Sequence, residues 1–457
     1  MEVTGKKITI IGMAKSGLAA AEFLSARGAQ VLVSDSKPAE KLQQESALLR
    51  QMGVTLETGK NSDDALMNAD LIVVSPGVPL DIAPLARAKA AGKKILGEVE
   101  LAAKFLKGTL IGITGSNGKT TTTTLVGKIL AESGLYTQVG GNIGIPLISL
   151  AADSRSDGFV TIEISSFQLE ATEDLKLKVA VLLNITPNHL DRYRSFEDYA
   201  EAKRRIFLNQ QDSDFAVLNA DSEIVSQMAS STPAKKIFFS RLKELPEGVF
   251  LQNGKIVYRN NNGKEVPLID VSKIPLQGSH NIENVMAAVA VALVAGVAIE
   301  SMQRSVAQFR PVAHRLEPVA EIKGVKFIND SKATSVDAAV KAIEAFSGNL
   351  ILILGGKDKG GSYTPLIPPI RERVKGVVLI GAASDKIEAT LNGVVNLHRS
   401  TSMKDAVKKS FEAASSGDTV LLAPACSSYD MFENFEQRGD IFKQEVEALS
   451  REMVSIT

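Results

Sequence analysis

A glycine-rich loop between a strand-like and a helix-like segment is the feature that most constrains this chain. It reads Thr-Gly-Ser-Asn-Gly-Lys-Thr over residues 114–120, after the apolar run 110–113 and before a helical pattern over 121–132. Backbone N–H groups in such a turn point at one spot, at the positive end of the helix dipole. The lysine adds a cation for phosphates, and the last threonine adds a hydroxyl for Mg²⁺. The loop predicts a nucleoside triphosphate site, although Ile113 replaces a glycine of the common spacing.

The composition is that of an ordinary globular chain. Its 457 residues are 44% hydrophobic and 23% charged, enough for about three domains of about 150 residues each. Because 52 basic and 52 acidic side chains cancel, an anionic ligand needs a local site. The single cysteine, Cys426, excludes an intramolecular disulfide and fits a reducing cytosol. We expect a cytoplasmic protein without a signal peptide, in which the apolar stretch 285–299 is a buried helix.

Strands and helices alternate in the first and last thirds of the chain. This pattern predicts parallel sheets with right-handed crossovers. In the first third, we expect strands at 8–11, 31–34 and 71–75 and helices at 17–27 and 39–52. In the last third, we expect strands at 325–328, 350–354, 377–380 and 419–422 and helices at 336–346, 403–414 and 435–449.

The first strand–helix turn resembles a dinucleotide-binding fingerprint. It reads Gly-Met-Ala-Lys-Ser-Gly over residues 12–17, and Asp35 follows the next predicted strand. Ala14 replaces the middle glycine, the residue that lets a pyrophosphate approach the backbone. Two interpretations stay open: an ordinary turn, or a site in which Lys15 and Ser16 contact a nucleotide-like diphosphate.

Polar side chains follow two strands that are predicted in the middle of the chain. Glu163 ends the apolar run 159–164, and His189 comes shortly after the run 179–185. Because ligands bind beyond the carboxyl ends of parallel strands, these ends and Thr114 would converge on one site. Glu163 would hold Mg²⁺ there or, alternatively, cap the next helix. A lone histidine is more often a structural hydrogen-bonding residue than a ligand.

A small β segment is predicted near the end of the middle third. The Asn-Gly dipeptides at 253–254 and 262–263 favour tight turns, so the stretch 249–267 is expected to form hairpin strands. A helix is expected to follow at 282–295.

Five motifs taken together resemble one family, the ATP-dependent Mur ligases of peptidoglycan synthesis. Three are the loop 114–120, Glu-Ile-Ser-Ser-Phe-Gln-Leu-Glu at 163–170 and Asn-Ile-Thr-Pro-Asn-His-Leu-Asp-Arg at 184–192. Asn-Asp-Ser-Lys-Ala-Thr at 329–334 and the run 428–439 resemble the branch that adds D-glutamate. The resemblance covers essentially the whole chain.

The resemblance implies an α/β protein of three domains. They are an N-terminal Rossmann-like domain that binds a UDP-linked substrate (1–97), a central P-loop-type ATPase domain with a parallel sheet and a small β part (98–311), and a C-terminal Rossmann-like domain that binds the incoming amino acid (312–457). The implied reaction joins UDP-N-acetylmuramoyl-L-alanine to D-glutamate through an acyl phosphate, with ATP and two Mg²⁺ ions. These small molecules are the expected partners, without nucleic acid or membrane, and we expect a monomer.

The resemblance also implies a role for individual residues. The expected ATP-binding residues are Gly115, Ser116, Asn117, Gly118, Lys119, Thr120, Thr121, Asn281, Arg315 and Asp330. The UDP-linked substrate would be bound by Ala14, Lys15, Ser16, Asp35, Ser75, Gly77, Asn142 and His189. D-glutamate would be bound by Lys332, Thr334, Lys359, Ser428 and Phe435. The expected metal ligands are Thr120 and Glu163 at one site, and His189 and Lys203, carbamylated by CO₂, at the other. The expected catalytic set is Lys119, Glu163, His189, Lys203 and Lys332.

Several alternatives remain beside these roles. Asn281 could cap the following helix, and Lys359 could be a solvated loop residue. Cys426 is interpreted as core filler, because ATP-driven amide synthesis needs no thiol nucleophile. The rival functions are another ligase of the family, a nicotinamide-dependent oxidoreductase built on the first domain, and a nucleotide-binding protein without ligase activity.

Overall fold

Three β-sheets, one in each third of the chain, carry the fold. The structure, a computed structural model, describes residues 1–188, 192–276, 278–310 and 313–455. The sheets have five, nine and six strands in chain order. Their central strands are parallel and buried on both faces by helices, as α/β architecture requires. The predicted class, three α/β domains, is confirmed.

The first sheet has the strand order of a doubly wound domain. Its strands are β1 (Lys7–Ile11), β2 (Gln30–Asp35), β3 (Thr55–Thr58), β4 (Leu71–Val74) and β5 (Ile95–Gly97). Its helices are α1 (Lys15–Ser25), α2 (Gln43–Gln51), α3 (Asp63–Met67), α4 (Ala83–Ala90) and α5 (Glu98–Ala103). The parallel order β3-β2-β1-β4-β5 turns back at β1, so the β1–α1 turn opens at the switch point, where such sheets bind ligands.

The predicted helix over 39–52 is divided in the structure. A 3₁₀ turn over Ala39–Lys41 precedes α2, and Leu42 between them has φ −128° and a buried side chain. Burial of Leu42 against the core takes this residue out of helical geometry. Strands β3 and β5 and helices α3 and α4 had not been predicted, because they are short and carry little hydrophobic periodicity.

The central sheet is mostly parallel and ends in a small antiparallel part. Its strands are β6 (Thr109–Thr114), β7 (Thr137–Gly141), β8 (Phe159–Glu163), β9 (Val179–Leu182), β10 (Phe215–Asn219), β11 (Lys235–Ser240), β12 (Gly248–Gln252), β13 (Lys255–Arg259) and β14 (Glu265–Asp270). Its helices are α6 (Lys119–Glu132), α7 (Ser166–Glu170), α8 (Phe196–Arg204), α9 (Glu223–Gln227), α10 (Ser279–Val294) and α11 (Ile299–Ala307). The antiparallel strands β12–β14 confirm the predicted hairpins.

The strand order of the central sheet determines which strand ends lie together at the candidate site. Strands β9, β6, β8 and β7 are neighbours in that order and run parallel, so their carboxyl ends share one edge. Helix α10 is buried in the central core along most of its length, as predicted for the apolar stretch. Across the described ranges, no helix has the length and apolar character needed to cross a membrane.

The third sheet is again parallel except at one edge. Its strands are β15 (Glu317–Ile322), β16 (Val325–Asn329), β17 (Leu350–Gly355), β18 (Val374–Ile380), β19 (Asn396–Arg399) and β20 (Thr419–Leu422). Its helices are α12 (Val336–Glu344), α13 (Ile367–Arg373), α14 (Ser384–Leu391), α15 (Met403–Glu412) and α16 (Phe435–Ser455). Only β15 pairs antiparallel, with β16. All strands and helices predicted for this third are present.

The N-terminal and central domains share an apolar core, and the C-terminal domain has its own. One cluster joins Leu24 and Leu101 to Ile148 and Leu169. The two clusters of the C-terminal domain contain, among the residues described, only members from 316 onward. The first two domains are therefore expected to move as one body, and the third is fastened to them by polar contacts.

Glu98 lies in the interface of the first two domains and is 1% exposed. Its Oε1 accepts a hydrogen bond of 2.8 Å from the Ile148 N–H, and its Oε2 is buried with no partner in the described structure. Burial raises the pKa of this carboxyl from 4.5 to about 7, against the backbone hydrogen bonds that lower it.

We expect Glu98→Gln to stabilise the protein at pH 8 and not at pH 5. The folded state binds the Glu98 proton more tightly than the unfolded state, so wild-type stability falls as pH rises between 4.5 and about 7. Glutamine does not ionise and avoids this loss, which is about 3 kcal/mol. Urea unfolding at both pH values measures the difference. An equal change in the free energy of unfolding at both pH values would contradict this prediction. Glu40→Gln, at an exposed glutamate, is the control.

Candidate active site

A cavity of about 810 Å³ lies where the three domains meet. The N-terminal domain contributes Ala14, Lys15, Ser16, Ser75 and Gly77 to its wall. The central domain contributes Ser116, Asn117, Lys119, Thr120, Asn142 and Glu163. The C-terminal domain contributes Arg315, Lys332, Thr334 and Phe435. Most of the residues predicted for three different ligands are thus brought to one cavity.

The phosphate loop connects β6 to α6 and is fixed by the next strand end. Gly118 has φ +84°, and a Cβ at this position would collide with the Asn284 side chain, so the turn requires glycine. The Asn117 N–H donates to Asn184 Oδ1 at 2.9 Å, and Asn184 Nδ2 donates back to the Asn117 carbonyl at 3.1 Å. This exchange holds the loop open toward the cavity at the start of α6.

Two lysines, the partly exposed Lys119 and the buried Lys203, share one carbonyl of this loop. Lys119 Nζ donates to the Gly115 and Ser116 carbonyls at 2.9 and 3.0 Å, and Lys203 Nζ donates to the Gly115 carbonyl at 2.9 Å. Burial lowers the pKa of Lys119 to about 8, helped by nearby cations and opposed by Glu163. Burial and the Lys119 charge lower the pKa of Lys203 well below its usual value. Two adjacent ammonium groups without an anion between them are a costly arrangement.

Glu163 ends β8, and its negative charge raises the pKa of both lysines. It is 1% exposed, and its Oε1 accepts a hydrogen bond of 2.8 Å from Asn142 Nδ2. Its Oε2 is buried without a hydrogen-bond partner among the described residues. Thr120 lies on the wall of the same cavity. A carboxylate oxygen without a partner and a hydroxyl on the same cavity wall are oxygen donors of the kind that suits a hard cation such as Mg²⁺.

The second predicted metal site falls partly outside the described residues. His189, predicted as a metal and substrate ligand, is one of those outside residues. Lys203 Nζ, besides its bond to the Gly115 carbonyl, lies 3.4 Å from Thr114 Oγ1. Within the described ranges, there is no group of three or more His, Cys, Asp or Glu side chains that could hold a metal.

A narrower cavity continues from the phosphate loop between α10 and the C-terminal domain. Its wall includes Asn117, Asn284, Arg315 and Asp330. Arg315 Nε is buried without a partner in the part of the chain that the structure describes, which suits an anionic or polar ligand. Burial raises the pKa of Asp330 to about 6, although Arg315 and the Leu316 N–H favour its charged form.

Asn281 lies beside this cavity, in the first turn of α10. Gly278 is the N-cap of that helix, so the alternative role of Asn281 as the cap is wrong. Asn281 is buried, and its Oδ1 accepts a hydrogen bond of 2.9 Å from Asn284 Nδ2.

On the C-terminal side, the residues predicted for D-glutamate are divided between two cavities. Lys332 and Thr334 line the main cavity, and Lys332 Nζ lies 5.1 Å from the centre of the Phe435 ring. Burial lowers the pKa of Lys332, against the attraction of Glu163. Lys359 lines an adjoining apolar cavity of about 440 Å³ and donates to Thr334 Oγ1 at 3.4 Å. Ser428 is buried and lies outside both walls.

Two further predicted residues lie outside the main cavity wall. Asp35 Oδ2 accepts a hydrogen bond of 2.8 Å from the Met13 N–H, and its Oδ1 accepts one of 2.9 Å from the Lys37 N–H. Asp35 therefore braces the β1–α1 turn in this structure. Thr121 is buried in the first turn of α6, behind the loop.

Sequence reasoning missed two residues that the structure brings to the site. Asp337, in the first turn of α12, accepts hydrogen bonds from Asn117 Nδ2 and, at 3.0 Å, from Thr186 Oγ1, and so joins the C-terminal domain to the phosphate loop. Tyr199 Oη is 2.9 Å from Ser116 Oγ. Nothing in the sequence distinguished Asp337 from an acid that favours a helix N-terminus.

Comparisons with known proteins agree with this arrangement. Family models match in three consecutive parts: "Mur ligase MurD-like, N-terminal domain" at 6–97, "Mur ligase middle domain" at 113–292 and "Mur ligase, glutamate ligase domain" at 314–426. The UDP-N-acetylmuramoylalanine–D-glutamate ligase of Acidobacterium capsulatum is 52% identical over 97% of this chain and 96% of its own. The ligase of the same name from Koribacter versatilis is 50% identical over 99% of both chains.

Solved structures share the fold at low sequence identity. The UDP-N-acetylmuramate–alanine ligase of Thermotoga maritima superposes with a TM-score of 0.62, 19% identity and coverage of 97% of this chain and 99% of its own. A pseudomurein peptide ligase type C from Methanothermus fervidus has a TM-score of 0.61, 19% identity and coverage of 97% and 100%. With three matching domain models and relatives of this identity over nearly its whole length, the chain belongs to the Mur ligase family.

Proposed function

We propose that the protein joins the carboxylate of UDP-N-acetylmuramoyl-L-alanine to the amino group of D-glutamate, with hydrolysis of ATP to ADP and phosphate. The observation that carries the proposal is the cavity shared by the N-terminal turn, the phosphate loop and the C-terminal residues Lys332 and Thr334. The names of the relatives supply the two substrates. ATP use is a property of the family.

The ligands are assigned to the cavity by domain. The UDP part lies against Ala14–Ser16 and Ser75–Gly77, where a switch-point turn suits a diphosphate. The ATP phosphates lie on the loop and Lys119, and the nucleoside extends toward Arg315 and Asp330. D-glutamate lies against Thr334 and Lys359, whose ammonium group pairs with a substrate carboxylate. The proposed domain boundaries are 97/98 and 311/312.

The chemistry follows in two steps. The substrate carboxylate attacks the γ-phosphorus of ATP and ADP leaves, which gives an acyl phosphate. The amine of D-glutamate then attacks the acyl carbon, and the tetrahedral adduct collapses to the amide and phosphate. Lys119, Arg315 and Lys332 offset the negative charge that gathers in both steps. The domains that surround the cavity keep water from the acyl phosphate.

Thr120 and Glu163 would hold one Mg²⁺, and His189 with carbamylated Lys203 would hold a second. The partnerless Oε2 of Glu163 supports the first site. Bound Mg²⁺ would supply further charge neutralisation at the γ-phosphate. We further propose that the protein acts in the cytoplasm, where its nucleotide substrates are made, and acts as a monomer.

The test is the release of phosphate from ATP in the presence of UDP-N-acetylmuramoyl-L-alanine. The added amino acid is varied over D-glutamate, L-glutamate, L-alanine and a diamino acid. We expect release with D-glutamate only, together with one amide product by mass spectrometry. Release with another member of the panel would keep the ligase mechanism and overturn the amino-acid assignment. If folded protein that binds ATP released no phosphate with any of these amino acids, the proposal would be wrong.

A further inference from the structure

The loop that carries Lys359 connects β17 to α13 and contains its own glycines. Gly356, at its start, has φ +132°, and Gly360 has φ +81°. Gly360 and Gly361 follow Lys359 directly. A loop so rich in glycine does not hold a lysine side chain in one place by backbone preference alone, because glycine gives the chain additional conformations. Side-chain contacts must therefore fix the position of Lys359.

The start of the loop is fixed by backbone pairing. The Lys357 N–H donates to the Ser427 carbonyl at 2.8 Å, and the Ser427 N–H donates back to the Lys357 carbonyl at 3.1 Å. Ser427 Oγ adds a third bond, of 3.0 Å, to the same Lys357 carbonyl. This pairing stops two residues before Lys359.

The rest of the loop is held by a chain of side-chain hydrogen bonds. Tyr363 Oη donates to Asp358 Oδ1 at 2.9 Å and is 3.0 Å from Cys426 Sγ. From α14, Lys386 Nζ donates to Asp358 Oδ2 at 2.7 Å and to the Gly361 carbonyl at 3.0 Å. Bonds therefore reach the residue before Lys359 and a residue after it. We call Asp358, Tyr363, Lys386 and Cys426 the loop clasp.

The direction of each bond in the clasp follows from chemistry. The Asp358 carboxylate can only accept, so the single hydroxyl proton of Tyr363 is donated to it. The Cys426 thiol then donates to the Tyr363 oxygen. Burial raises the pKa of Asp358, but the bonds from Lys386 and Tyr363 outweigh it, and the net pKa lies below the usual value. Burial raises the pKa of Cys426 to about 11 and also raises that of Tyr363, so both remain donors at neutral pH.

The clasp is buried at its centre and exposed at one end. Tyr363 is 2% exposed and Cys426 is 0% exposed, whereas the Lys386 side chain is 46% exposed. The Asp358 side chain is 32% exposed, so the Tyr363–Asp358 bond is shielded from water at its tyrosine end, and Lys386 contributes as a partly screened ion pair. Loss of the Tyr363 hydroxyl would leave Cys426 and Asp358 short of a partner while the ring still filled its pocket.

We propose that the Tyr363–Asp358 pair is a positioning device for Lys359 and thereby sets the affinity of the enzyme for its amino-acid substrate. The proposal rests on the function proposed above, in which Lys359 pairs with a carboxylate of D-glutamate. Asp358 and Tyr363 line the same cavity as Lys359, and the role proposed for them is to hold the loop rather than to bind the amino acid. They act on the amino acid through the loop and leave ATP and the UDP-linked substrate unaffected.

The test compares Tyr363→Phe and Asp358→Ala with wild type in steady-state kinetics. In each variant, we expect the KM for D-glutamate to rise about tenfold, the equivalent of about 1.4 kcal/mol, with kcat and the KM for ATP unchanged. Asp358→Asn retains an acceptor for Tyr363 and is expected to restore most of the affinity. The double variant is expected to be no worse than either single variant, because the two residues form one interaction.

A second readout separates positioning from damage to the fold. Hydroxylamine, which has no carboxylate to pair with Lys359, can replace D-glutamate and capture the acyl phosphate as a hydroxamate with release of phosphate. We expect Tyr363→Phe to form hydroxamate at the wild-type rate. Tyr136→Phe is the control for loss of a tyrosine hydroxyl elsewhere, since Tyr136, an exposed residue of the central domain, also loses one hydroxyl bond, of 2.8 Å to the Asp153 carbonyl. Its KM for D-glutamate should not change.

The outcomes distinguish this inference from the function on which it rests. Wild-type protein that releases no phosphate with D-glutamate would overturn the proposed function itself. Active wild type with an unchanged KM in Tyr363→Phe would overturn the positioning role alone. An equal fall of hydroxamate formation and of D-glutamate turnover would also overturn it, since that pattern marks a general structural defect. An unchanged KM for D-glutamate in Lys359→Met would overturn the positioning role as well, because Lys359 would then not bind the amino acid.

Discussion

Glu163→Gln is expected to lower the rate of D-glutamate-dependent phosphate release by about a thousandfold, which corresponds to about 4 kcal/mol in the activation barrier. The substitution preserves shape. The glutamine carbonyl can still accept the 2.8 Å hydrogen bond from Asn142 Nδ2, and the amide nitrogen takes the place of the partnerless Oε2. What disappears is the negative charge and the anionic oxygen proposed to hold Mg²⁺.

The expected effect is large because Glu163 balances several cations. Its charge raises the pKa of Lys119, Lys203 and Lys332, each of which burial lowers. Without that charge, the pKa of each of the three amines falls further. The phosphates then lose both metal and ammonium partners, so KM for ATP is expected to rise together with the fall in kcat.

Glu98→Gln is the matched control for this experiment. It makes the same exchange at another carboxyl that is 1% exposed, outside the main cavity. Its activity at pH 8 should equal that of wild type, and the thermal midpoint of Glu163→Gln should remain near the wild-type value. A Glu163→Gln enzyme with wild-type turnover at saturating Mg²⁺ would contradict the assigned role.

Much of this fold was predictable because its main strands are buried on both faces. Short apolar runs such as 350–354 and 419–422 are typical of strands that are buried on both faces, and both are strands in the structure. The phosphate loop and Glu163 were predictable because polar residues that end such strands share one sheet edge. Short edge elements such as β3, with one exposed and three partly exposed residues, give no such signal.

Contacts between distant parts of the chain were not predictable in the same way. Asp337 meets Asn117 across 220 residues of sequence, and Tyr363 meets Cys426 across 63. Each of these residues has an ordinary local interpretation, as a helix-start acid or a core filler. Only the packing of the C-terminal domain against the central one gives Asp337 its role, and only the β20 loop beside β17 gives Cys426 a partner.

We expect Lys203 of the active enzyme to carry a CO₂-derived carbamate. The reaction adds an unprotonated amine to CO₂ and releases a proton, so it needs an amine of low pKa. Burial and the Lys119 charge provide this at Lys203. The product is an anion, so it would replace a repulsion between two ammonium groups with an attraction. Its oxygens would also supply the metal ligands that an ammonium group lacks.

Carbon NMR of protein equilibrated with ¹³C-bicarbonate measures this modification directly. Wild type should give a carbamate carbonyl signal, and Lys203→Met should not, with a loss of turnover of about 10²- to 10³-fold. Lys128→Met, at a lysine on the outer part of α6 that pairs with Glu132, should keep both the signal and the activity. A signal that persists in Lys203→Met, or full turnover without any signal, would show that Lys203 acts as the ammonium group hydrogen-bonded to the Gly115 carbonyl.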